Sequence, residues 1–102
     1  MSMPTPLGDD GVRAALTELP QWRGDATRIT RTIEFPDFLT GIRVVGDVAQ
    51  VAETVDHHPD IDIRWRTVTF TLSTHSAGGV TELDIDLARS IDEVAERHAT
   101  DL

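Results

Sequence analysis

The chain has 102 residues and no cysteine, so it has room for one domain and cannot form disulfide bonds, thiolate metal sites or a cysteine nucleophile. Its 18 acidic and 9 basic residues give a formal net charge of −9, which disfavours direct binding to nucleic acid or to anionic membranes. Because no targeting leader and no apolar run of membrane-spanning length is evident, we expect a cytoplasmic protein.

The chain begins with a predicted flexible arm, residues 1–8, in which two prolines and a glycine stand among small polar residues. We expect residues 9–102 to form the single domain. The stretch "DDGVRAALTELP" predicts a short helix that Asp9 or Asp10 caps and Pro20 ends. Its apolar positions recur at helical spacing, at Val12, Ala15, Leu16 and Leu19.

Two extended segments follow in "QWRGDATRITRTIEF", and Gly24 and Asp25 separate them. The second segment alternates with a period of two, which is typical of a strand. One side carries Ile29, Arg31, Ile33 and Phe35, and the other carries Arg28, Thr30, Thr32 and Glu34. This stretch therefore predicts the first two strands of a sheet.

The stretch "PDFLTGIRVVGDVAQVAETVD" predicts a long helix that begins at Pro36. Gly41 and Gly46 each disfavour a helix by about 1 kcal/mol relative to alanine, so we expect them to permit close packing. Two apolar stripes lie side by side on this helix. Together they are wider than the apolar face that a helix packed on one side needs. The first stripe consists of Phe38, Ile42, Val45, Ala49 and Ala52, and the second of Val44, Val48, Val51 and Val55. We expect the second stripe to pack against another copy of the chain in a homo-oligomer.

The C-terminal half again predicts two strands and a helix. In "RTVTFTLSTH" the apolar residues Val68, Phe70 and Leu72 alternate with hydroxyl residues, as in a strand with one solvated face. In "TELDIDLARSIDEVAERH" Thr81 is the predicted helix cap and Asp84 completes a capping box. The predicted core stripe of this helix consists of Leu83, Leu87, Ile91 and Val94. The order predicts an α+β fold, a four-stranded antiparallel sheet with three helices on one face.

Three of the four histidines follow the long helix or the threonine-rich strand. His57 and His58 lie in "ETVDHHP", and His75 ends the strand, so the three imidazoles converge if both segments end at one edge. Imidazole both gives and takes protons near neutral pH, which suits general acid and base catalysis. Glu53, one helical turn before His57, is expected to reach the His57 ring. Asp56 and Asp84 are further candidates for holding an imidazole.

Two other interpretations remain open for these residues. Adjacent histidines at a helix C-terminus can simply favour the negative end of the helix dipole, and Asp84 can be only a cap. Three histidines with carboxylates can also bind zinc. However, adjacent residues on extended chain point to opposite sides, and no "HExxH" or "HxH" motif occurs, so we predict no metal site.

The run "AETVDHHPDIDIRWRTVTFTLSTH", followed by "LDIDLA", resembles the pterin-4a-carbinolamine dehydratase family. The resemblance extends over most of the chain, from about Trp22 to Val94. It implies a four-stranded antiparallel sheet with three helices on one side, in agreement with the predicted elements. The matching positions are Glu53, His57, His58, Pro59, Trp65, His75 and Asp84.

The resemblance also implies a reaction. Family enzymes remove water from a 4a-hydroxytetrahydropterin, such as 4a-hydroxytetrahydrobiopterin, to give the quinonoid dihydropterin, and they use no metal or other cofactor. The step recycles pterin after aromatic amino-acid hydroxylation. It needs an acid at the leaving oxygen and a base at the N5 proton, both within hydrogen-bond reach of one bound molecule. Imidazoles can supply both.

By this resemblance, His57 is the main general acid and base, while His58 and His75 position the pterin and assist proton movement. Glu53 and Asp84 are the supporting carboxylates. The pocket lining implied by the family consists of His57, His58, Pro59, Thr74, His75, Ser76 and Ala77. The chain departs from the usual family pattern in the segment "DIDIRW", at Ser76 and at Ile42.

Relatives of this family also act as assembly or coactivator proteins, so a non-catalytic protein of the same fold is the alternative function. The three retained histidines favour the enzyme. A metal-binding protein is the third hypothesis, which metal analysis would test. The resemblance further favours a homodimer or a homotetramer built partly through a helical bundle.

Overall fold

The structure is a computed structural model that describes residues 4–99. The order of its elements confirms the predicted sequence of helix, two strands, helix, two strands and helix. A short 3₁₀ turn, His75–Ala77, precedes the last helix. The elements are α1 (Gly8–Leu16), β1 (Arg23–Gly24), β2 (Ile29–Glu34), α2 (Phe38–Val55), β3 (Asp60–Arg64), β4 (Thr67–Leu72) and α3 (Glu82–Ala99).

The four strands form one antiparallel sheet in the order β1-β2-β4-β3. The helices cover one face of it, where Val68, Phe70 and Leu72 of β4 are fully buried. The opposite face carries hydroxyl side chains that bond across the strands, such as Thr32 and Thr69 at 2.9 Å between their Oγ1 atoms. The predicted alternation of a buried and a polar face is therefore confirmed.

The N-termini of α1 and α2 differ from the sequence prediction. Helix α1 has Leu7 at its N-cap without a side-chain hydrogen bond, and Asp9 and Asp10 lie in its first turn. The predicted aspartate cap of α1 is therefore wrong. Helix α2 begins at Phe38 rather than at Pro36, because the carboxylate of Asp37 accepts the backbone N–H of Thr40 at 2.7 Å.

The predicted arm, residues 1–8, includes two residues that the structure places in the domain, Leu7 and Gly8. The backbone N–H of Leu7 bonds to the carbonyl oxygen of Val80 at 3.0 Å, and its side chain packs against the core. Gly8 already belongs to α1. Residues 1–3 of the predicted arm lie outside the described residues.

The face of α2 that packs into the core differs from the predicted one. Val44 and Val48, of the stripe assigned to another subunit, are fully buried within the chain itself. Phe38 and Ile42, of the stripe assigned to the sheet, are exposed. The expectation that Val48 lies between subunits is wrong, because β-sheet and helix side chains of the same chain already cover it.

Helix α3 has the predicted capping box. The Thr81 hydroxyl accepts the N–H of Leu83 at 3.2 Å, and the Asp84 carboxylate accepts the N–H of Thr81 at 2.9 Å. Leu87, Ile91 and Val94 lie in the core as predicted. Leu83 is 41% exposed, so its assignment to the core is wrong. Within residues 4–99, no helix has the length and hydrophobicity that crossing a membrane requires.

Candidate active site

The chain segments with the three histidines meet at one edge of the sheet. Strand β3 begins at Asp60, opposite Thr71 near the end of β4, so the segment before β3 and the segment after β4 are neighbours. His57 and His58 lie in the first segment and His75 in the second. Helix α2 ends at this edge because Asp56 adopts a left-handed conformation, with φ of 52°, and turns the chain toward β3.

His57 is held by the buried carboxylate of Asp84. The distance from His57 Nε2 to Asp84 Oδ1 is 2.6 Å, and the two side chains are 12% and 0% exposed. Asp84 lies in the first turn of α3, where the helix dipole favours a negative charge. An imidazole that bonds to such a carboxylate is fixed in orientation.

His58 has a different carboxylate partner. Its Nε2 atom lies 2.6 Å from Glu53 Oε2, and both side chains are exposed. The expectation that Glu53 reaches His57 is therefore wrong, because α2 ends before the histidines and the helical spacing no longer applies. Asp56, another candidate partner, forms the C-cap of α2, and among residues 4–99 it has no hydrogen bond to an imidazole.

His57 lines a small recess between α2 and α3 with a volume of about 140 Å³. Apolar side chains form much of its wall, with two polar residues beside them. The other lining residues are Val51, Val55, Leu83, Asp86, Leu87 and Ser90. The exposure of Leu83 follows from its position in this wall. An imidazole beside apolar side chains is a lining typical of small-molecule sites, but this recess is smaller than the roughly 300 Å³ at which such pockets begin.

His75 lines a second depression, of about 380 Å³, on the uncovered side of the sheet edge. The loop that carries His75 is closed by two backbone hydrogen bonds between Thr74 and Gly79. His75 and His57 therefore share an edge but line different recesses. The other residues of the second depression are Thr27, Arg28, Asp60, Thr71, Ser73 and Gly78.

Sequence reasoning missed Thr27, Arg28 and Asp60 as neighbours of His75. The period of two in β4 already puts Thr71 and Ser73 on one face, but only the register shows that Asp60 lies opposite Thr71. Thr27 belongs to the β1–β2 turn, where its hydroxyl and N–H lower the pKa of Asp25. Its carbonyl oxygen accepts the Ser73 hydroxyl at 2.7 Å.

The predicted lining residues divide into accessible and buried ones. Ser76 is exposed, and Pro59 and Ala77 are partly exposed. Thr74 is only 4% exposed, and its hydroxyl bonds to Asp84 and Thr81. The side chain of Thr74 is therefore not part of the pocket surface, contrary to the expectation.

No metal centre is found within residues 4–99, where no group of three or more histidine, aspartate and glutamate side chains could hold an ion. The fourth histidine, His98, bonds to Asp47 at 2.7 Å and joins the end of α3 to α2. It lines neither of the two recesses described above.

A family model described as pterin 4 alpha carbinolamine dehydratase matches residues 5–94. The chain belongs to this family. It is 57% identical over 89 residues to a Nocardia farcinica protein named "Putative pterin-4-alpha-carbinolamine dehydratase", which covers 87% of this chain and 94% of that protein. A protein of the same name from Mycobacterium sp. (strain KMS) is 57% identical over 91 residues, covering 89% of this chain and 97% of the relative.

The fold resembles those of solved structures, among them the following two. A "transcriptional coactivator/pterin dehydratase" from Brucella melitensis is 39% identical, with a TM-score of 0.81 over 84% of this chain and 94% of the other. A pterin dehydratase-like protein identified as a RuBisCO assembly factor in the alpha-carboxysome has a TM-score of 0.60 over 72% of this chain and 86% of the other. At 20% identity, the second similarity shows the fold alone.

Proposed function

We propose that this protein dehydrates a 4a-hydroxytetrahydropterin to the quinonoid dihydropterin. The observation that carries the proposal is the His57–Asp84 pair, a partly accessible imidazole held by a fully buried carboxylate. The pair lies at positions that the family resemblance implies, in a chain that belongs to the pterin carbinolamine dehydratases. A buried carboxylate that orients an imidazole is the arrangement that acid and base catalysis requires.

The reaction needs two proton movements on one substrate. The hydroxyl leaves C4a as water after it receives a proton, and the N5 proton departs as the C4a–N5 double bond forms. His57 acts as the main acid and base in the proposal. His58, with Glu53 beside it, and His75, which lines the neighbouring depression at the same sheet edge, position the pterin and assist the proton movement in this proposal. The reaction needs no metal or other cofactor.

The proposed substrate is a tetrahydrobiopterin derivative, in recycling after aromatic amino-acid hydroxylation. The test is a stopped-flow assay on chemically generated 4a-hydroxytetrahydropterin, which follows the quinonoid product by absorbance. The protein is expected to accelerate dehydration at catalytic concentrations, with and without a chelator. A rate equal to the uncatalysed one would contradict the proposal, and a loss of rate that zinc restores would contradict the metal-free mechanism.

A non-catalytic assembly or coactivator protein is the second candidate. The observation that favours it is the similarity to the Brucella melitensis protein, which is named both a transcriptional coactivator and a pterin dehydratase. A scaffold does not need His57, His58 and His75, whereas an enzyme does. If this protein is folded but does not raise the dehydration rate above the uncatalysed rate, that result would support this candidate.

We also propose a cytoplasmic homo-oligomer, a dimer or a tetramer, that binds neither nucleic acid nor membranes. The surface assigned to assembly is the outer stripe of α2, defined here as Phe38, Ile42, Val45 and Ala49. Phe38, Ile42 and Ala49 are exposed, and Val45 is partly exposed. Contiguous apolar side chains on one exposed helix face are typical of a contact between subunits.

A further inference from the structure

The hydrogen bonds behind His57 form a chain of four residues. Asp84 Oδ1 contacts His57 Nε2, and Asp84 Oδ2 lies 2.8 Å from the Thr74 hydroxyl. The Thr74 hydroxyl is also 2.8 Å from the hydroxyl of Thr81. Thr74, Thr81 and Asp84 are all buried, and no buried side-chain polar atom among residues 4–99 lacks a partner.

The direction of each hydrogen bond follows from the charge on Asp84. Its Oδ2 atom accepts both the N–H of Thr81 and the hydroxyl of Thr74, as an oxygen without a proton does. An ionised carboxylate only accepts hydrogen bonds. The single proton of the Thr74 hydroxyl is therefore directed to Asp84.

The Thr81 hydroxyl then has one arrangement that satisfies its neighbours. The Thr74 hydroxyl donates its hydrogen bond to Asp84, so its oxygen can still accept one. The Thr81 hydroxyl therefore donates a hydrogen bond to the Thr74 oxygen. The Thr81 oxygen in turn accepts the backbone N–H of Leu83. The first turn of α3 therefore orders the two hydroxyls, and their order depends on a negative Asp84.

The same argument applies to His57. An ionised Asp84 requires a donor on its other oxygen, so His57 Nε2 carries a hydrogen. A neutral His57 then has a bare Nδ1, and this nitrogen is the only one that can take a proton.

We propose that Thr74 and Thr81 are positioning residues that act through Asp84 to hold neutral His57 as the Nε2–H tautomer, so that Nδ1 exchanges protons with the substrate. The last step rests on the proposed dehydration, whereas the tautomer does not. Thr74 is not a substrate-binding side chain in this arrangement. The Thr74 hydroxyl and the His57 imidazole bond to the two oxygens of the same Asp84 carboxylate.

The first test needs no variant and no substrate. In ¹⁵N-labelled wild-type protein above pH 8, NMR is expected to show the neutral His57 ring with a protonated Nε2 and a bare Nδ1. The chain has only four histidines, and comparison with His57→Gln assigns the signal. A neutral ring with the hydrogen on Nδ1 would overturn the proposal. A chain with the expected tautomer but without dehydratase activity contradicts only the proposed function.

The second test uses Thr74→Val, with Thr74→Ser as the matched control. Without the Thr74 hydroxyl, Asp84 loses one of its hydrogen-bond donors, and the Nε2–H tautomer of His57 is expected to be populated less completely, so that the ¹⁵N shifts of the two ring nitrogens move toward each other. The kcat is expected to fall roughly 10-fold with little change in KM, as for other partners of a functional histidine. Thr74→Ser is expected to restore both values. Ring ¹⁵N shifts of His57 that are identical in wild type and Thr74→Val would overturn the proposal, and the wild-type tautomer measurement decides it if that variant does not fold.

Discussion

His57 differs from the other paired histidines in the burial of its partner. Asp84 is fully buried, whereas Glu53 beside His58 and Asp47 beside His98 are exposed. An exposed ion pair contributes little because water and salt screen it, but a buried carboxylate acts on its imidazole through a lower local dielectric. At the scale of single residues, the proposed chemistry therefore depends on His57.

Replacement of His57 provides the direct test. His57→Ala is expected to lower the dehydration rate by roughly 10² to 10⁴, the range for a lost general acid or base. His98→Ala is the matched control, because His98 also bonds to an aspartate but lines neither recess near the site. Stopped-flow rates with circular dichroism as a folding check would measure both. Near wild-type turnover in His57→Ala would remove His57 from this role.

Replacement of Asp84 should affect stability as well as activity. Asp84→Ala leaves the Thr81 N–H and the Thr74 hydroxyl without their acceptor, and removes the capping box of α3. We expect a loss of about 2 kcal/mol or more in the free energy of unfolding, measured with urea. Asp86→Ala, two residues away at an exposed position, is expected to change it by less than about 0.5 kcal/mol. Equal losses in both variants would contradict the assigned role of Asp84.

The sequence predicts that the histidines meet at one sheet edge, but it does not predict which carboxylate each of them contacts. The family pattern gives His57, His75 and Asp84, and they lie at one sheet edge. The pairing of Glu53 with His57 is wrong because the helical spacing fails where α2 ends at Val55. The register that puts Asp60 beside His75 depends on strand pairing, which local periodicity does not contain.

At the scale of elements, the two glycines of α2 serve different purposes. A Cβ atom on Gly41 would lie 3.2 Å from Phe35 Cδ2, whereas one on Gly46 would have no neighbour within 4 Å. Close packing is predicted from the sequence for both glycines, and only Gly41 has it. The sequence could not separate them, because periodicity shows two apolar stripes but not which one the sheet covers.

This difference predicts opposite responses to alanine. Gly46→Ala is expected to raise the free energy of unfolding by about 0.5 to 1 kcal/mol, because it lowers the entropy of the unfolded chain at an open helix position. Gly41→Ala is expected to raise the free energy of unfolding by less than Gly46→Ala does, or to lower it. The Phe35 ring must move to make room for the new Cβ atom. Urea unfolding at low protein concentration would compare them. A larger gain for Gly41→Ala than for Gly46→Ala would contradict the packing described for α2.

The N-cap of α2 predicts a pH effect. Hydrogen bonds from Thr40 lower the pKa of Asp37 below its ordinary value of 3.8. The bond from the Thr40 hydroxyl has the larger effect, and the bond from its backbone N–H has the smaller one. The resulting stability is present above that ordinary value and is lost as the pH falls through the lowered pKa. Asp37→Asn keeps a capping oxygen but does not titrate. We therefore expect the urea midpoint to fall less between pH 6 and pH 3 in Asp37→Asn than in wild type, and equal falls would argue against the cap.

At the scale of the whole molecule, the outer stripe of α2 predicts assembly. Ile42 is 37% exposed, so Ile42→Glu would put a charge into the proposed contact between subunits without changing the core. We expect the mass measured by light scattering to fall while the chain stays folded. Val48→Glu is the contrasting variant, because Val48 is in the core and a charge there should prevent stable folding. A wild-type protein that is monomeric at about 100 μM would contradict the proposal.

The sequence predicts the elements and their layers because alternation and helical spacing are local properties. Val68, Phe70 and Leu72 show the buried face of β4 directly. The strand order β1-β2-β4-β3 is a different kind of property, since it depends on which hairpin edges meet. No sequence pattern within either hairpin indicates that β2 pairs with β4.

That strand order also has a consequence for how the chain folds. Each hairpin joins neighbours in sequence, but the pairing of β2 with β4, from Ile29 opposite Leu72 to Glu34 opposite Thr67, closes a loop of roughly 30 to 45 residues. Loop closure of this length costs entropy before the new contacts form, so the hairpins and α2 can appear early. We expect the rate-limiting barrier to lie at the junction between β2 and β4. Substitutions in that junction should then slow refolding, while substitutions in β1 should mainly speed unfolding.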